Sequence, residues 1–200
     1  KLKRGHANLL AGRALTFNMY PLIYSELGKD FQLEDRIRWG SLPSVIKHST
    51  PEEFIASYVN TYLREELMQE GIIRNLQNFR KFLEAASFSH AQPLNISRIA
   101  KDCGLDRKIA SNYFEILEDL LIAFRLPGFA RKARRKMSAH EKFFFFDSGI
   151  YQYLRPRGPL DEPEFVDRHA LEGLVLHELR AWNDYQRLGY QFYTWRTQSQ

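Results

Sequence analysis

Two short helices joined by a tight turn are predicted between Leu94 and Leu121, and this stretch constrains the fold more than any other. The first helix follows a polar cap at Asn95, and its apolar residues recur at helical spacing: Ile96, Ile99, Ala100 and Cys103. Gly104 supplies the turn, and Asp106 can accept hydrogen bonds from the free amides of the second helix. The apolar residues of that helix keep the same period: Ile109, Tyr113, Ile116, Leu117, Leu120 and Leu121. The pattern predicts a helix-turn-helix.

The polar side of the second helix changes its charge along its length. Its start carries side chains that contact phosphate oxygens and base edges: Arg107, Lys108, Ser111 and Asn112. Its end carries Glu115, Glu118 and Asp119, which would repel DNA. Only the first turn or two of this helix could therefore approach a duplex. Helix pairs of this kind also occur as scaffolds, and that alternative stays open.

A basic hairpin is predicted directly after the two helices. The segments from Ile122 to Leu126 and from Lys142 to Phe146 are typical of strands, and Pro127-Gly128 ends the first of them. The loop between the strands holds a cluster of cations: Arg131, Lys132, Arg134, Arg135 and Lys136. Together with the helix pair, this hairpin indicates a winged-helix module that binds DNA or RNA with a strong salt dependence. The alternative is a solvated loop that keeps the protein soluble.

Composition narrows the class of protein. The chain has 200 residues, is 44% hydrophobic and carries a net charge of +5, so it can bury a core and carries only a modest, unevenly distributed positive excess. Its single cysteine, Cys103, excludes a disulfide framework and a cysteine-rich zinc site within the chain, and it is expected to be buried and inert. No apolar run reaches the length of a membrane span. We expect a cytoplasmic protein without membrane contact.

Local patterns predict further elements. A strand is expected from Ala14 to Tyr20, and a largely helical segment from Pro51 to Gln92. Asp147 is expected to cap a helix over residues 148–154. The run from Phe143 to Phe146 is expected either to be buried on both faces or to span a domain contact. The three tryptophans are expected to pack in the interior: Trp39, Trp182 and Trp195.

Short motifs follow one another in a fixed order along nearly the whole chain. They are Leu10-Ala11-Gly12-Arg13 with the following strand and Pro21-Leu22, Gly40-Ser41-Leu42-Pro43, Tyr58 to Asn75, Phe146-Asp147-Ser148-Gly149, Leu171-Glu172-Gly173 to Leu179, and Trp195-Arg196-Thr197. In this order the motifs resemble the C-terminal part of a group of prokaryotic AAA-type ATPases. In that group a P-loop ATPase domain is followed by a winged helix and by a part similar to restriction endonucleases.

The resemblance implies an α+β fold that is mostly helical and has four parts. Residues 1–27 would end the AAA-type core, 28–92 would form a helical connector, 93–157 the winged helix-turn-helix with its basic hairpin, and 158–200 a truncated nuclease-like lobe. The connector could instead form an interface between protomers. The chain would then be an excised or processed piece of a longer protein.

ATP and Mg²⁺ are implied only for the parent protein. A phosphate-binding loop needs the spacing G-x-x-x-x-G-K-[ST], and the one Gly-Lys pair, Gly28-Lys29, has Ile23 and Asp30 where the first glycine and the hydroxyl belong. We therefore expect no cofactor and no metal in this fragment. Self-association through the parent ATPase remains possible by resemblance.

Two residues are weak catalytic candidates. Arg13 could steady charge on a transferring phosphoryl group, and its alternative is a surface or interdomain arginine. Glu172 stands where the resemblance places a metal-binding carboxylate of a nuclease, and its alternative is the border of an amphipathic helix. The Glu-x-Lys that such a nuclease site also requires does not occur in the chain.

These observations predict the nucleic-acid-binding or regulatory C-terminal region of an AAA-type ATP-binding protein. Two alternatives remain at this point. One is a module for protein interaction or oligomerisation, and the other is an inactive fragment of a metal-dependent nuclease.

Overall fold

The chain has an α+β fold in which helices surround a small antiparallel sheet. The structure, a computed structural model, describes residues 17–62, 73, 75–129, 141–159 and 161–195. The helices are α1 (Tyr24–Leu27), α2 (Leu33–Trp39), α3 (Pro43–Ile46), α4 (Pro51–Ser57), α5 (Leu76–Ser87), α6 (Ile96–Cys103), α7 (Arg107–Asp119), α8 (Ser148–Leu154) and α9 (Pro163–Tyr185). The strands are β1 (Gln92–Pro93), β2 (Ala123–Leu126) and β3 (Lys142–Phe145). A 3₁₀ turn covers Gly28–Asp30, and a π-helical turn, Tyr58–Tyr62, continues α4.

The two predicted helices and the tight turn between them are present as α6 and α7. The Asn95 side chain accepts a hydrogen bond from the amide of Arg98 at 3.0 Å, and Asp106 accepts one from the amide of Lys108 at 2.7 Å. Gly104 ends α6 in the left-handed conformation, with φ 66°, which a residue with a Cβ adopts only at a cost. Both caps and the turn are therefore confirmed.

The strands form a three-stranded antiparallel sheet in the order β1-β3-β2. In β3, the consecutive residues Phe143, Phe144 and Phe145 are all buried, because helices cover both faces of the sheet. Phe143 packs edge-on against Phe114 of α7, with ring centroids 5.0 Å apart. On the opposite face Phe144 packs in a cluster with Leu176 of α9. The prediction that this run is buried on both faces is confirmed for these three residues.

Asp147 caps α8, as predicted, and also joins this helix to a distant turn. Its carboxylate accepts hydrogen bonds from the amides of Gly149 at 2.9 Å and Ile150 at 3.2 Å, and from the amide of Ser41 at 2.7 Å. A Cβ at Gly40 would overlap this carboxylate, and the φ of Gly40 is +76°. The Asp147 junction, which we define as Gly40, Ser41, Asp147 and Gly149, is a fully buried polar contact.

One hydrophobic core spans most of the fold. It contains residues from Val45 in α3 to Ala170 in α9. Helix α5, which lies before the predicted boundary at 93, packs against both α6 and α7. Helix α9, which lies beyond the predicted boundary at 157, packs against α2 and α8 and covers the sheet. The four-part division stays a prediction, and its inner boundaries run through this shared core.

Some local predictions are wrong. Residues 17–20, the described part of the strand predicted from Ala14, form no regular element. Their polar groups bind α9 instead, since Asn18 Nδ2 and the Tyr20 hydroxyl both donate to Asp184, at 2.8 Å and 2.5 Å. Trp182 and Trp195 are exposed rather than packed. Ile109 and Leu121, expected on the apolar face of α7, are exposed as well.

Helix α9 approaches the sheet closely at a glycine. A Cβ at Gly173 would lie 2.6 Å from Nε2 of His90, a side chain that is completely buried. The His90 ring stacks on Tyr151 of α8 with centroids 4.0 Å apart, and its Nδ1 accepts a hydrogen bond from the amide of Phe145 at 3.1 Å. Over the described ranges, no helix has the length and apolar character required to cross a membrane.

Candidate nucleic-acid interface

The start of α7 presents a basic and polar surface. Arg107, Lys108 and Asn112 are exposed and Ser111 is half-buried, so the four residues predicted for this site lie together on the first turns of one helix. On the opposite side of the helix three residues are completely buried and hold it against the core: Ala110, Phe114 and Leu117. The orientation of α7 is therefore set by packing, and its polar side is free to meet a ligand.

The two cations at the start of α7 carry uncompensated charge. Within the described part of the chain, no carboxylate lies in ion-pair distance of Arg107 or Lys108. The nearby Asp106 uses its Oδ1 to cap the helix through the amide of Lys108. An incoming anion would thus meet two cations and the free amides of a helix N-terminus.

The acidic end of α7 is partly neutralised. Arg125 in β2 donates from Nε to Glu118 at 2.8 Å, forms a second contact with the same carboxylate through Nη2, and reaches Glu141 at 3.1 Å through Nη1. The hydrogen bond to Glu118 raises the pKa of Arg125 above its ordinary value. The repulsion of DNA expected from Glu118 is therefore reduced, whereas the side chain of Glu115 is exposed.

The basic surface continues from α7 onto α5 and α6. An open groove of about 1490 Å³ lies along these helices. Four cations line it, Lys81, Arg98, Lys101 and Arg107, together with two acids, Glu84 and Asp102, so its charge is positive by a small excess. Arg98 lies 3.9 Å from Asp102 on an exposed face, so this pair is weak. Sequence reasoning did not single out Lys81, Arg98 and Lys101. The helical period of α6 could have indicated Arg98 and Lys101, but Lys81 joins them only through the packing of α5 on α6.

The cations of the predicted hairpin tip, Arg131 to Lys136, lie outside the described residues, as does Arg13. The base of that loop is described at Pro127 to Phe129. There the amide of Phe129 donates to the carbonyl of Thr194 at 2.7 Å, and the amide of Thr194 donates to the carbonyl of Pro127 at 2.8 Å. The segment that follows α9 is thus hydrogen-bonded to residues 127–129, where the loop begins after β2.

Glu172 binds a lysine of the sheet. Its Oε1 lies 2.6 Å from Nζ of Lys142, the first residue of β3. Among the described residues, no group of three or more histidine, cysteine, aspartate or glutamate side chains is arranged to hold a metal ion. The arrangement around Glu172 is that of an ion pair between a helix and a strand.

Cys103, expected to be buried and inert, is half-buried, and its Sγ lies 3.7 Å from the carbonyl oxygen of Lys81. Burial raises the pKa of the Cys103 thiol, which disfavours the reactive thiolate. Two buried histidines are also perturbed. Burial lowers the pKa of His90 to about 3 and that of His177 to about 4, so both rings are neutral at pH 7.

Comparison with known proteins gives one match. A family model described as a domain of unknown function (DUF8612) matches residues 30–161. No curated protein and no solved structure matches the chain.

Proposed function

Because the chain belongs to the DUF8612 family of domains of unknown function, we propose its role from its own geometry: it binds nucleic acid through a winged helix. The order of elements supports this proposal. Helix α5, strand β1, helices α6 and α7 and strands β2 and β3 follow one another, and the sheet order is β1-β3-β2. A winged helix has this topology, with α7 as its recognition helix and the β2–β3 loop as its wing.

The observation that carries the proposal is the charge order of α7. Cations stabilise a helix at its C-terminus and anions stabilise it at its N-terminus, each by about 0.3–1 kcal/mol. Helix α7 has no acidic residue in its first turn and no basic residue in its last turn, and it begins with Arg107 and Lys108. Apart from the Asp106 cap, its charges are therefore arranged against its own stability. A bound phosphate at the N-terminus would compensate both the cations and the helix dipole.

The basic run in the β2–β3 loop supports the same ligand. Five cations between positions 131 and 136 could neutralise several phosphates, and each phosphate contact steepens the fall of affinity with salt. This contribution does not depend on base sequence. Sequence preference, if the protein has one, would come from Ser111 and Asn112, whose types can reach base edges in a groove.

Fluorescence anisotropy of labelled duplex DNA, single-stranded DNA and RNA over a salt series tests the proposal. We expect binding that weakens steeply with salt and falls at least tenfold in R107E/K108E and in R131E/R134E/R135E. The matched control is K29E/K47E, which changes the net charge by the same amount as the first variant at exposed positions outside the helix-turn-helix. Equal losses of affinity in the control and in R107E/K108E would show that net charge alone explains the effect. Unchanged affinity in both test variants would refute the proposal.

The resemblance to AAA-type ATPases supports a further element of the proposal. The chain would act as the nucleic-acid-binding or regulatory C-terminal region of an ATP-binding protein, with ATP and Mg²⁺ held by the preceding P-loop domain. The test is ATP hydrolysis by the full-length protein with and without nucleic acid. We expect stimulation or inhibition that R107E/K108E abolishes, and an ATPase rate unaffected by nucleic acid would contradict it.

One observation favours a second candidate function, self-association or binding to another protein. Val175, Leu179 and Trp182 lie exposed at the spacing i, i+4, i+7 on α9, so they form an apolar stripe. A shallow groove of about 420 Å³ borders this stripe. The candidate predicts an assembly that survives high salt and that L179E dissolves. Sedimentation that shows only monomer at high concentration would count against it.

A further inference from the structure

Three aromatic rings lie on one face of a short ribbon at the base of the β2–β3 loop. The ribbon is formed by residues 127–129 and 193–195, which pair in parallel through the bridge between Gly128 and Thr194. Side chains alternate between the two faces of such a pair, so the residues on either side of the bridge share one face. That face therefore carries Phe129, Tyr193 and Trp195. The rings of Phe129 and Tyr193 meet edge to face with centroids 6.0 Å apart.

The opposite face of the ribbon is anchored in the core. Phe192, two residues before Thr194, packs against the apolar cluster that contains Phe144 and Leu176, and Phe124 and Leu126 of β2 belong to the same cluster. The ribbon is thus held to the sheet by one face, and the aromatic face points outward. The position of these rings follows from backbone pairing and from packing on the other side.

The outward face is open to solvent. The exposed fractions are 51% for Phe129, 36% for Tyr193 and 75% for Trp195. Single exposed apolar residues are common, but three aromatic rings on one face of a fixed backbone form an exposed aromatic patch. Such a surface suits a flat aromatic ligand, because aromatic rings prefer offset stacks or edge-to-face contacts.

The surrounding sequence indicates which aromatic ligand this surface would bind. Phe129 is followed in the chain by five cations between positions 131 and 136, and Trp195 is followed by Arg196. Aromatic residues that neighbour a dense run of cations in the sequence match single-stranded nucleic acid, whose bases offer π-faces and whose backbone offers phosphates. In a duplex the bases already stack on one another, so their faces are not accessible to protein rings.

We propose that Phe129, Tyr193 and Trp195 form a stacking platform for the unpaired bases of a single-stranded nucleic acid. The inference rests on the proposed nucleic-acid binding and deepens it by assigning a ligand class to this surface. The start of α7 would contact phosphates, and the platform would contact unpaired bases. Mutations in the two surfaces should therefore have different effects, on phosphate binding in one case and on base stacking in the other.

The experiment compares three labelled ligands of equal length: oligo-dT, an abasic oligodeoxynucleotide with the same phosphates, and a blunt duplex. The variant F129L/W195L keeps apolar bulk and removes two π-faces. The control Y24A removes a comparably exposed ring in α1, away from the ribbon. We expect wild-type protein to bind oligo-dT at least tenfold more tightly than the abasic strand, since each stacked base contributes roughly fivefold or more and the platform offers three rings.

In F129L/W195L, affinity for oligo-dT should fall about tenfold or more, while affinities for the abasic strand and the duplex change less than threefold. Oligo-U in place of oligo-dT tells RNA from DNA at the same surface. Trp195 fluorescence, isolated as the difference between wild type and W195F, should be quenched by oligo-dT and not by the abasic strand.

The results that would overturn the stacking platform differ from those that would overturn nucleic-acid binding as a whole. Equal wild-type affinity for oligo-dT and the abasic strand would overturn the platform. A uniform loss of affinity for all three ligands in F129L/W195L would overturn it as well. Neither result would contradict the proposal that the protein binds phosphates. The absence of binding to every ligand at low salt would overturn both. A loss in Y24A equal to that in F129L/W195L would also overturn the platform.

Discussion

Two helices of this protein begin with an aspartate cap, and the two caps have different surroundings. Asp106 opens α7 at the surface and accepts one amide hydrogen bond, from Lys108. Asp147 opens α8 in the interior and accepts three, one of them from Ser41 on a distant turn. The start of α8 is thus closed by the protein itself, whereas the start of α7 is left open beside two exposed cations. The same local motif ties α8 to a distant turn, whereas in α7 it leaves the start of the helix exposed to solvent.

The largest expected effect comes from two buried histidines, His90 beside α8 and His177 in α9. Their folded pKa values, about 3 for His90 and about 4 for His177, lie below the unfolded value of about 6.5. The unfolded state therefore binds more protons between these values, so stability is full above pH 6.5 and is lost as pH falls. From pH 7.5 to 5 we expect a loss of about 2 kcal/mol for each histidine, or roughly 4 kcal/mol together.

Urea unfolding at the two pH values measures this loss. Burial raises the pKa of Asp147 and of Glu178, so these carboxyls make the folded state more stable as pH falls, opposite to the histidines. The contribution of one histidine is therefore best measured by comparing wild type with a variant that lacks it. H177Q should reduce the pH-dependent loss by about 2 kcal/mol. A pH dependence that is the same in H177Q and wild type would show that His177 is not held neutral by the fold.

The second prediction compares the contributions of the two aspartate caps to stability. D147A leaves the buried amides of Ser41, Gly149 and Ile150 without their acceptor, and we expect it to lower the free energy of unfolding by about 3 kcal/mol or more. D106A removes one exposed cap and should lower it by about 1 kcal/mol. D147N, which keeps one oxygen, should fall between D147A and wild type.

Urea denaturation at pH 7 with matched m-values gives these differences. If D106A and D147A were equally destabilising, the distinction between an open and a closed helix start would have no energetic basis.

The smallest effect has the opposite sign. R107E/K108E places acids at the start of α7, where the helix dipole favours them, and should raise the free energy of unfolding by about 0.5 kcal/mol while nucleic-acid binding is lost. Thermal unfolding at low salt, where the dipole is least screened, measures the gain. A loss above about 1 kcal/mol would mean that the two cations support the fold rather than a ligand.

Features that depend on neighbours in the sequence were predictable. The caps at Asn95, Asp106 and Asp147 and the turn at Gly104 are local hydrogen-bond or backbone requirements, so the residue types alone indicate them. The polar start of α7 was predictable for the same reason, because helical period decides which side chains share a face.

Features that depend on distant partners were not predictable. The segment at residues 17–20 was expected to be a strand, but Asp184 of α9 accepts its hydrogen bonds. Trp195 was expected in the interior, and the bridge between Gly128 and Thr194 turns it outward instead. The partner of Glu172, Lys142, lies 30 positions earlier in the chain and belongs to a strand. Pairings of this kind require the tertiary fold.

The three consecutive buried phenylalanines of β3 also bear on how the chain is made. Phe144 packs against Phe124, which precedes it in the chain, and against Leu176, which leaves the ribosome about 30 residues later. One face of the central strand is therefore only partly covered until most of α9 has been synthesised. A run of four phenylalanines without an intervening charge is prone to pair with other chains during that interval. Lys142 and Asp147, which flank the run, then act as gatekeepers in the nascent chain before either has its native partner.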